Sequence, residues 1–288
     1  MNANDLILEK ISRGDTLLAI QQLEAAQAEQ GPQRLNRALF SATRAENTEI
    51  LEAEQDNLLE QVGQLQGEEH AAAVYSLGCI ALALDDVVEA RNRFQDVLKI
   101  QPDNIMARHN QAYCCELLAE FEQAELLYTQ VINQNQDMAL SRLNLALLRL
   151  QNGEVDAALE DLHTLHLADP ENLGLTLYLC RGLLQRGTTR DIEEIIDLVD
   201  GNPDALGYID LKECRAQALL LSGESESAEK AFADLLEQNP ESYFARLGLV
   251  KMLAERGAFD TLKEHVAKLQ ELLPSDELLA LQEKLNEK

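Results

Sequence analysis

Residues 71–104 read AAAVYSLGCIALALDDVVEARNRFQDVLKIQPDN, and the fold follows from how this stretch recurs. Ala90, Ala124 and Ala158 stand 34 residues apart, and four residues beyond each comes a bulky side chain: Phe94, Tyr128 and Leu162. Gly78, Ala112 and Ala146 keep the same spacing, and Pro102 and Pro170 lie two periods apart. A fixed period of this length marks one supersecondary unit that is copied and stacked, not a single globular core.

Inside each unit the apolar residues recur every three or four positions, the helix period. In 139–172 they are Leu143, Leu147 and Leu150, then Val155, Leu159 and Leu162. Each unit therefore reads as two helices. Asp85-Asp86 or Gly153 breaks the first helix, and a proline stops the second. Small residues at Gly78 and Ala90 let two backbones approach closely, and Phe94 fills the space beside them. The frame fits 71–104, 105–138, 139–172, 209–242 and 243–276. The intervening unit, 173–208, is two residues longer. It has Ile192 and Ile196 in the Ala and bulky positions and ends in a turn at Gly201-Asn202-Pro203-Asp204. Residues 1–70 read as two degenerate helix pairs, with a turn at Gly14, a helix carrying Ala19 and Leu23, and further helices over 33–46 and 48–66. Residues 277–288 read as a capping helix with a polar outer face, which stacked arrays need.

Composition agrees with a helical stack. Apolar residues make up 46% of the 288, aromatics only 4%, and there is no Trp; 14 Gly and 6 Pro leave little room for long loops. With 24 basic and 51 acidic side chains the net charge is −27. Such a field repels nucleic-acid phosphates and anionic lipid, and favours basic protein partners. No apolar run is long enough for membrane insertion, and the opening MNANDLILEKISRG has no secretory pattern. The five cysteines are odd in number and sit inside apolar helix patterns, which predicts a reduced, cytoplasmic setting.

Chemistry-bearing motifs are absent. The sequence contains no G-x-S-x-G, no G-x-x-x-x-G-K-[ST], no G-x-G-x-x-G and no C-x-x-C. His163 and His166 have ligand spacing on a helix but read as part of a solvated face. Cys114 and Cys115 point about 100° apart on a helix and read as core packing. No catalysis, no metal and no cofactor are expected.

Residues 71–104 carry Leu77-Gly78, Ala81, Ala90-x3-Phe94 and Pro102, and this pattern resembles the tetratricopeptide repeat. Val74 stands where the first aromatic of that signature belongs. The resemblance covers about 71–276 well and 1–70 weakly. It implies an all-α, right-handed α-solenoid of stacked antiparallel helix pairs, with first helices lining a concave groove and second helices forming the back. It also implies which positions of a unit face the groove. In the first unit these include Tyr75, Cys79 and Leu82; in the next, Met106, His109, Asn110, Tyr113 and Glu116. Leu143, Asn144 and Leu147 follow, then Leu177 and Arg181. The middle of such a groove would be apolar and aromatic. Asn110 and Asn144 occupy equivalent places, where some members of the family hold a peptide backbone with an asparagine ladder. The Lys and Asn set that clamps chaperone tails is missing; of it only Asn110 survives. The resemblance implies a non-catalytic adaptor or chaperone-like protein that binds a basic or amphipathic partner peptide or helix. The alternatives are a self-associating scaffold, with a second copy in the groove, and a substrate-docking subunit of a larger enzyme or secretion complex.

Overall fold

The computed structural model describes residues 35–256 and 258–272. These form thirteen α-helices and one 3-10 turn, with no strand among the described residues. Helix α1 (Leu35–Val62) precedes six helix pairs. The pairs are α2 (Gly67–Ala83) with α3 (Val87–Ile100), α4 (Ile105–Leu117) with α5 (Phe121–Gln134), and α6 (Ala139–Asn152) with α7 (Val155–Ala168). They continue with α8 (Leu173–Arg186) and α9 (Thr189–Asp200), α10 (Ile209–Leu221) and α11 (Ser225–Gln238), and α12 (Tyr243–Arg256) and α13 (Phe259–Leu272). The connections are short, so neighbours in sequence pack as hairpins. The architecture is an all-α solenoid. The chain forms two compact units, Met1–Leu165 and His166–Lys288.

In the first unit α2 packs on α1 and α3, α4 packs on α3 and α5, and α6 follows on α5. Ala90 and Phe94 are fully buried, and the Phe94 ring lies where a Cβ on Gly78 would sit, 2.8 Å from its Cε1. Tyr75 meets Phe94 edge-on, ring centres 5.4 Å apart. One period on, Tyr128 takes the place of Phe94 and is packed among Ala112, Ala124, Leu145 and Leu148. In the second unit α10 touches both α8 and α12 directly, and each of the three packs on its partner helix. There Phe232 fills the space over Gly248, where an added Cβ would come 2.4 Å from its Cζ.

The turns repeat as faithfully as the core. Asp85, Ala119, Gly153 and Gly187 are successive residues with positive φ, each 34 after the last, and Gly223 comes 36 later. Each sits just past the end of a first helix. At four of them the following amide reaches back five residues: Asp86 N to Ala81 O (2.8 Å), Glu120 N to Cys115 O (2.8 Å), Glu154 N to Arg149 O (2.8 Å) and Glu224 N to Leu219 O (3.0 Å). This satisfies carbonyls that the helix end would otherwise leave open. Some of the helices begin on side-chain caps. Asp86 accepts from the Glu89 amide (3.0 Å), Asn104 from Ala107 (2.9 Å) and Asn172 from Leu175 (3.3 Å).

Three features depart from the sequence reading. Residues 35–62 form one continuous helix where two were expected over 33–46 and 48–66. No Gly or Pro lies between Leu35 and Val62, so Asn47-Thr48 alone does not end it. The two extra residues of 173–208 go into the 3-10 turn Ala205–Gly207, anchored by fully buried Ala205. In α9, Ile195 is fully buried and Ile196 only half-buried, a shift of one position from the expected contact. A partly buried ion pair accompanies that shift. The Arg186 guanidinium grips Asp191 through Nε (3.0 Å) and Nη2 (2.6 Å), and Asp191 closes a capping box with Thr188. These contacts hold the Asp191 carboxyl at about 2, below the usual carboxylate range. The expected turn at Gly14, the helix at 19–23 and the 277–288 cap lie outside the described residues.

Two substitutions between the same pair of residues should act in opposite senses. Gly78→Ala forces a methyl into the Phe94 ring and should destabilise the first unit by about 1–2 kcal/mol, the overpacking cost exceeding the gain in helix propensity. Ala119→Gly relieves a left-handed residue (φ 59°) at an exposed turn and should stabilise it by about 0.5–1 kcal/mol. Urea unfolding of the two variants beside the parent measures both.

Candidate functional site

The predicted groove residues divide by depth. Cys79, Leu82, His109, Asn110, Leu143, Leu147 and Leu177 are buried. Tyr75, Met106, Tyr113, Glu116 and Asn144 are half-buried, and Arg181 is exposed. The expected apolar floor therefore needs correcting: Cys79, Leu82, Leu143, Leu147 and Leu177 are core, and offer no open surface. At the fifth position of a unit, Leu143 and Leu177 are packed inside, whereas Tyr75 stays half-buried. His109, at that position, bonds Ser141 near the start of the next first helix (Nδ1 to Oγ, 2.8 Å). Glu213, the same position in the second unit, accepts from Ser242 Oγ (3.0 Å) just before α12.

What lies under the face of α2, α4 and α6 is a polar web. Asn110 Nδ2 donates to the Tyr75 hydroxyl (2.9 Å), tying α4 to α2. Asn144 Nδ2 donates to the Tyr128 hydroxyl (3.1 Å), which in turn donates to Glu116 Oε2 (3.0 Å), tying α6, α5 and α4. Burial foremost, and then the Glu116 carboxylate, raise the Tyr128 phenol well above its usual range, so it stays a neutral donor. The His109 ring lies 5.7 Å from that of Tyr128, tilted by 50°. His109 Nε2 is buried without a hydrogen-bond partner. Burial alone pushes this imidazole down to about 4, so it is neutral at pH 7. The two asparagines are thus committed as donors within the fold. Each of these bonds takes one of the two N–H donors of its amide, which leaves an asparagine ladder for a peptide backbone fewer donors to offer.

Above this web Tyr75, Met106, Tyr113, Glu116 and Asn144 remain partly open. Tyr75 and Tyr113 pack their inner edges on the core built around Phe94. The arrangement can bury apolar side chains against two phenol rings and a thioether, and can pair a donor or cation with Glu116. Sequence reasoning located these five through their place in the repeat. It did not identify Tyr128 and Ser141, which the same web requires; the polar atom on the buried Tyr128 was the available signal, since a buried phenol needs a partner.

In the second unit Arg181 Nη2 lies 3.4 Å from Asp210 Oδ1, so its charge is shared with the chain's own carboxylate. The five cysteines are buried and form no disulfide. Burial raises the thiols of Cys115 to about 11 and Cys214 to about 12, and Cys114 and Cys180 higher still, which makes them poor nucleophiles. His163 Nδ1 donates to the Leu159 carbonyl (2.7 Å), and His166 Nδ1 lies 3.3 Å from Thr176 Oγ1. Among the described residues no three His, Cys, Asp or Glu side chains gather as a metal site, and no helix is long and apolar enough to cross a membrane.

Comparison with known proteins bears on the same helices. The tetratricopeptide repeat family model matches residues 118–168 and 215–261. No curated protein matches the sequence. Among solved structures, Pseudomonas aeruginosa pilF superposes with a TM-score of 0.58 at 19% identity, covering 77% of this chain and 100% of pilF. A tetratricopeptide repeat protein from Parabacteroides merdae gives 0.53 at 14% identity, covering 99% of both chains. YrrB, described as a tetratricopeptide repeat protein with an unusual peptide-binding site, gives 0.52 at 17% identity, covering 66% of this chain and 97% of its own. At these identities the likeness is one of fold.

The buried imidazole sets a pH dependence. His109 titrates near 4 when folded and near 6.5 when unfolded, so the unfolded chain takes up the proton first. Stability of the first unit is complete above about pH 6.5 and is lost as pH falls toward 4. Urea unfolding should show His109 costing about 2 kcal/mol between pH 7 and pH 5. In His109→Phe that part of the slope should disappear.

Proposed function

We propose that this chain, whose residues 118–168 and 215–261 match the tetratricopeptide repeat model, is a non-catalytic adaptor of that family that holds a partner segment against α2, α4 and α6. The observation that carries this is the row of half-buried Tyr75, Met106, Tyr113, Glu116 and Asn144 on consecutive first helices, at the fifth, second, ninth, twelfth and sixth positions of their repeats. Their inner edges are fixed by core packing and by the polar web beneath, so little side-chain entropy is lost when a ligand settles on them. Two phenols and a thioether suit apolar or aromatic ligand side chains. Glu116 and the net charge of −27 suit a basic or amphipathic segment and disfavour an acidic one. Affinity for a short peptide would be modest, on the order of micromolar. A reduced cytoplasmic location, consistent with five buried cysteines that form no disulfide, belongs to the same reading.

The test must spare the core. Leu147 is buried, so a charge placed there would measure unfolding and not binding. Peptides selected from a displayed library on the parent protein should bind Tyr113→Ser with Met106→Glu at least about tenfold more weakly. Helical circular dichroism and the unfolding midpoint should change little. Selected peptides that bind this variant as tightly as the parent would show the row to be outside the contact.

A further inference from the structure

A histidine is sealed in the joint between repeats 105–138 and 139–172. His109, on α4, is only 1% exposed. Its Nδ1 meets Ser141 Oγ near the start of α6 (2.8 Å), and its ring lies against that of Tyr128 on α5. The Tyr128 hydroxyl takes the Asn144 amide of α6 (3.1 Å). Two of the side-chain bonds that cross this joint therefore run through His109 and Tyr128. Cys115 of α4 is packed with Tyr128, Leu145 and Leu148 in the apolar core of the same joint, whereas Cys79 belongs to the core around Phe94.

A proton added to this ring finds nothing to hold it. Nε2 is buried without a hydrogen-bond partner, and Nδ1 meets a hydroxyl, not a carboxylate. The titratable groups on the surrounding helices are engaged with others. Tyr75 of α2 accepts from Asn110, Tyr128 of α5 donates to Glu116 of α4, and Tyr113 packs on the core around Phe94. Arg91, Arg93 and Lys99 of α3 pair with Glu120, Glu89 and Asp96. On α6, Arg142 and Arg149 hold Asp161, and Arg149 also holds Glu125 of α5. Arg108, beside His109 in sequence, donates to Gln134 and to the Pro102 carbonyl, and Glu122 of α5 is exposed. Burial without an offsetting charge holds the imidazole at about 4, against 6.5 outside the fold.

Repeats in a stack are held by their neighbours, so one joint can open while the helix pairs on either side stay folded. Below about pH 6.5 the open joint takes up a proton that the closed joint refuses. Each further unit of pH then favours opening about tenfold, until the closed form titrates as well. We propose that His109 is an acid-operated latch: proton uptake by its ring opens the joint between α4 and α6 and releases a segment held across them. Met106, Tyr113 and Glu116 stand on α4 and Asn144 on α6, so the release rests on the adaptor reading; the opening does not.

The chain carries its own reporters. Cys115 should react with a dipyridyl disulfide only when the joint opens, and Cys79 only when the neighbouring core does. Rates are taken on the full chain, relative to the urea-unfolded chain at the same pH, with mass-spectrometric assignment of the labelled thiols. Between pH 7 and pH 5 the relative rate at Cys115 should rise about twentyfold, while that at Cys79 stays level. Glu116→Gln, whose side chain can still accept from Tyr128, should keep the rise, and His109→Phe should abolish it. Should His109→Phe not fold, the His109 ring signal in the NMR spectrum of the unaltered chain takes its place, and its proton uptake must track exposure of Cys115. A flat rate at Cys115, an equal rise at Cys79, or a rise that survives His109→Phe overturns the latch. Peptides selected from a displayed library on the parent at pH 7 should bind it about tenfold more weakly at pH 4.5, and bind His109→Phe equally at both. Tight binding to the parent that ignores pH overturns the release. If no peptide binds yet Cys115 responds, the adaptor reading fails and the latch stands.

Discussion

Everything in this molecule depends on one contact: a large side chain lying on a residue too small to hold it away. Phe94 over Gly78 and Phe232 over Gly248 leave no room for even one more carbon. A helix pair built this way cannot cover its own apolar faces. It is completed by the next pair, and the chain therefore grows by addition of like units. Ala90, Ala124, Ala158 and Ala228 are fully buried for the same reason. Each marks the place where two helix backbones must come close. The left-handed residues at 85, 119, 153, 187 and 223 serve that contact, because they turn the chain sharply enough to bring the second helix back on the first.

The stack has a second layer of specificity. Apolar packing alone tolerates small slips between repeats, whereas hydrogen bonds between named groups do not. The bonds from Asn110 to Tyr75, from Asn144 to Tyr128 and between His109 and Ser141 cross from one repeat to the next. Each costs something if broken, since the groups are partly or wholly removed from water. In the second unit Ser242 with Glu213 acts in the same way, while Arg186 with Asp191 fixes the turn inside one repeat. The face proposed for ligand binding is therefore rigid from below. That matters for recognition, because a surface held in place beforehand loses less entropy when it is occupied.

The longer repeat shows how an irregularity becomes a surface. Two added residues cannot be packed into a helix pair without breaking its register. They are expelled into the turn at 205–207, which is held at Ala205 and exposes Leu206, Tyr208 and Ile209. The change of register in α9, with Ile195 inside in place of Ile196, and the Arg186–Asp191 pair belong to the same local adjustment.

The period of 34, the placement of small and bulky residues, and the prolines were enough to determine helix pairs, their order and the residues at their centres. These are local properties: a side chain's spacing along a helix decides which side of it meets a neighbour. The continuous helix at 35–62 escaped because the absence of a breaker is a weaker signal than its presence. Depth was decided only in three dimensions. Tyr113 and Leu147 occupy the same place in their repeats, yet one is half open and the other core, because that depends on the size of side chains contributed by the neighbouring repeats. The pairing of Asn110 with Tyr75 is of the same kind. Spacing says that both can reach a common face, but only the approach of two stacked helices determines that the amide is spent on the phenol.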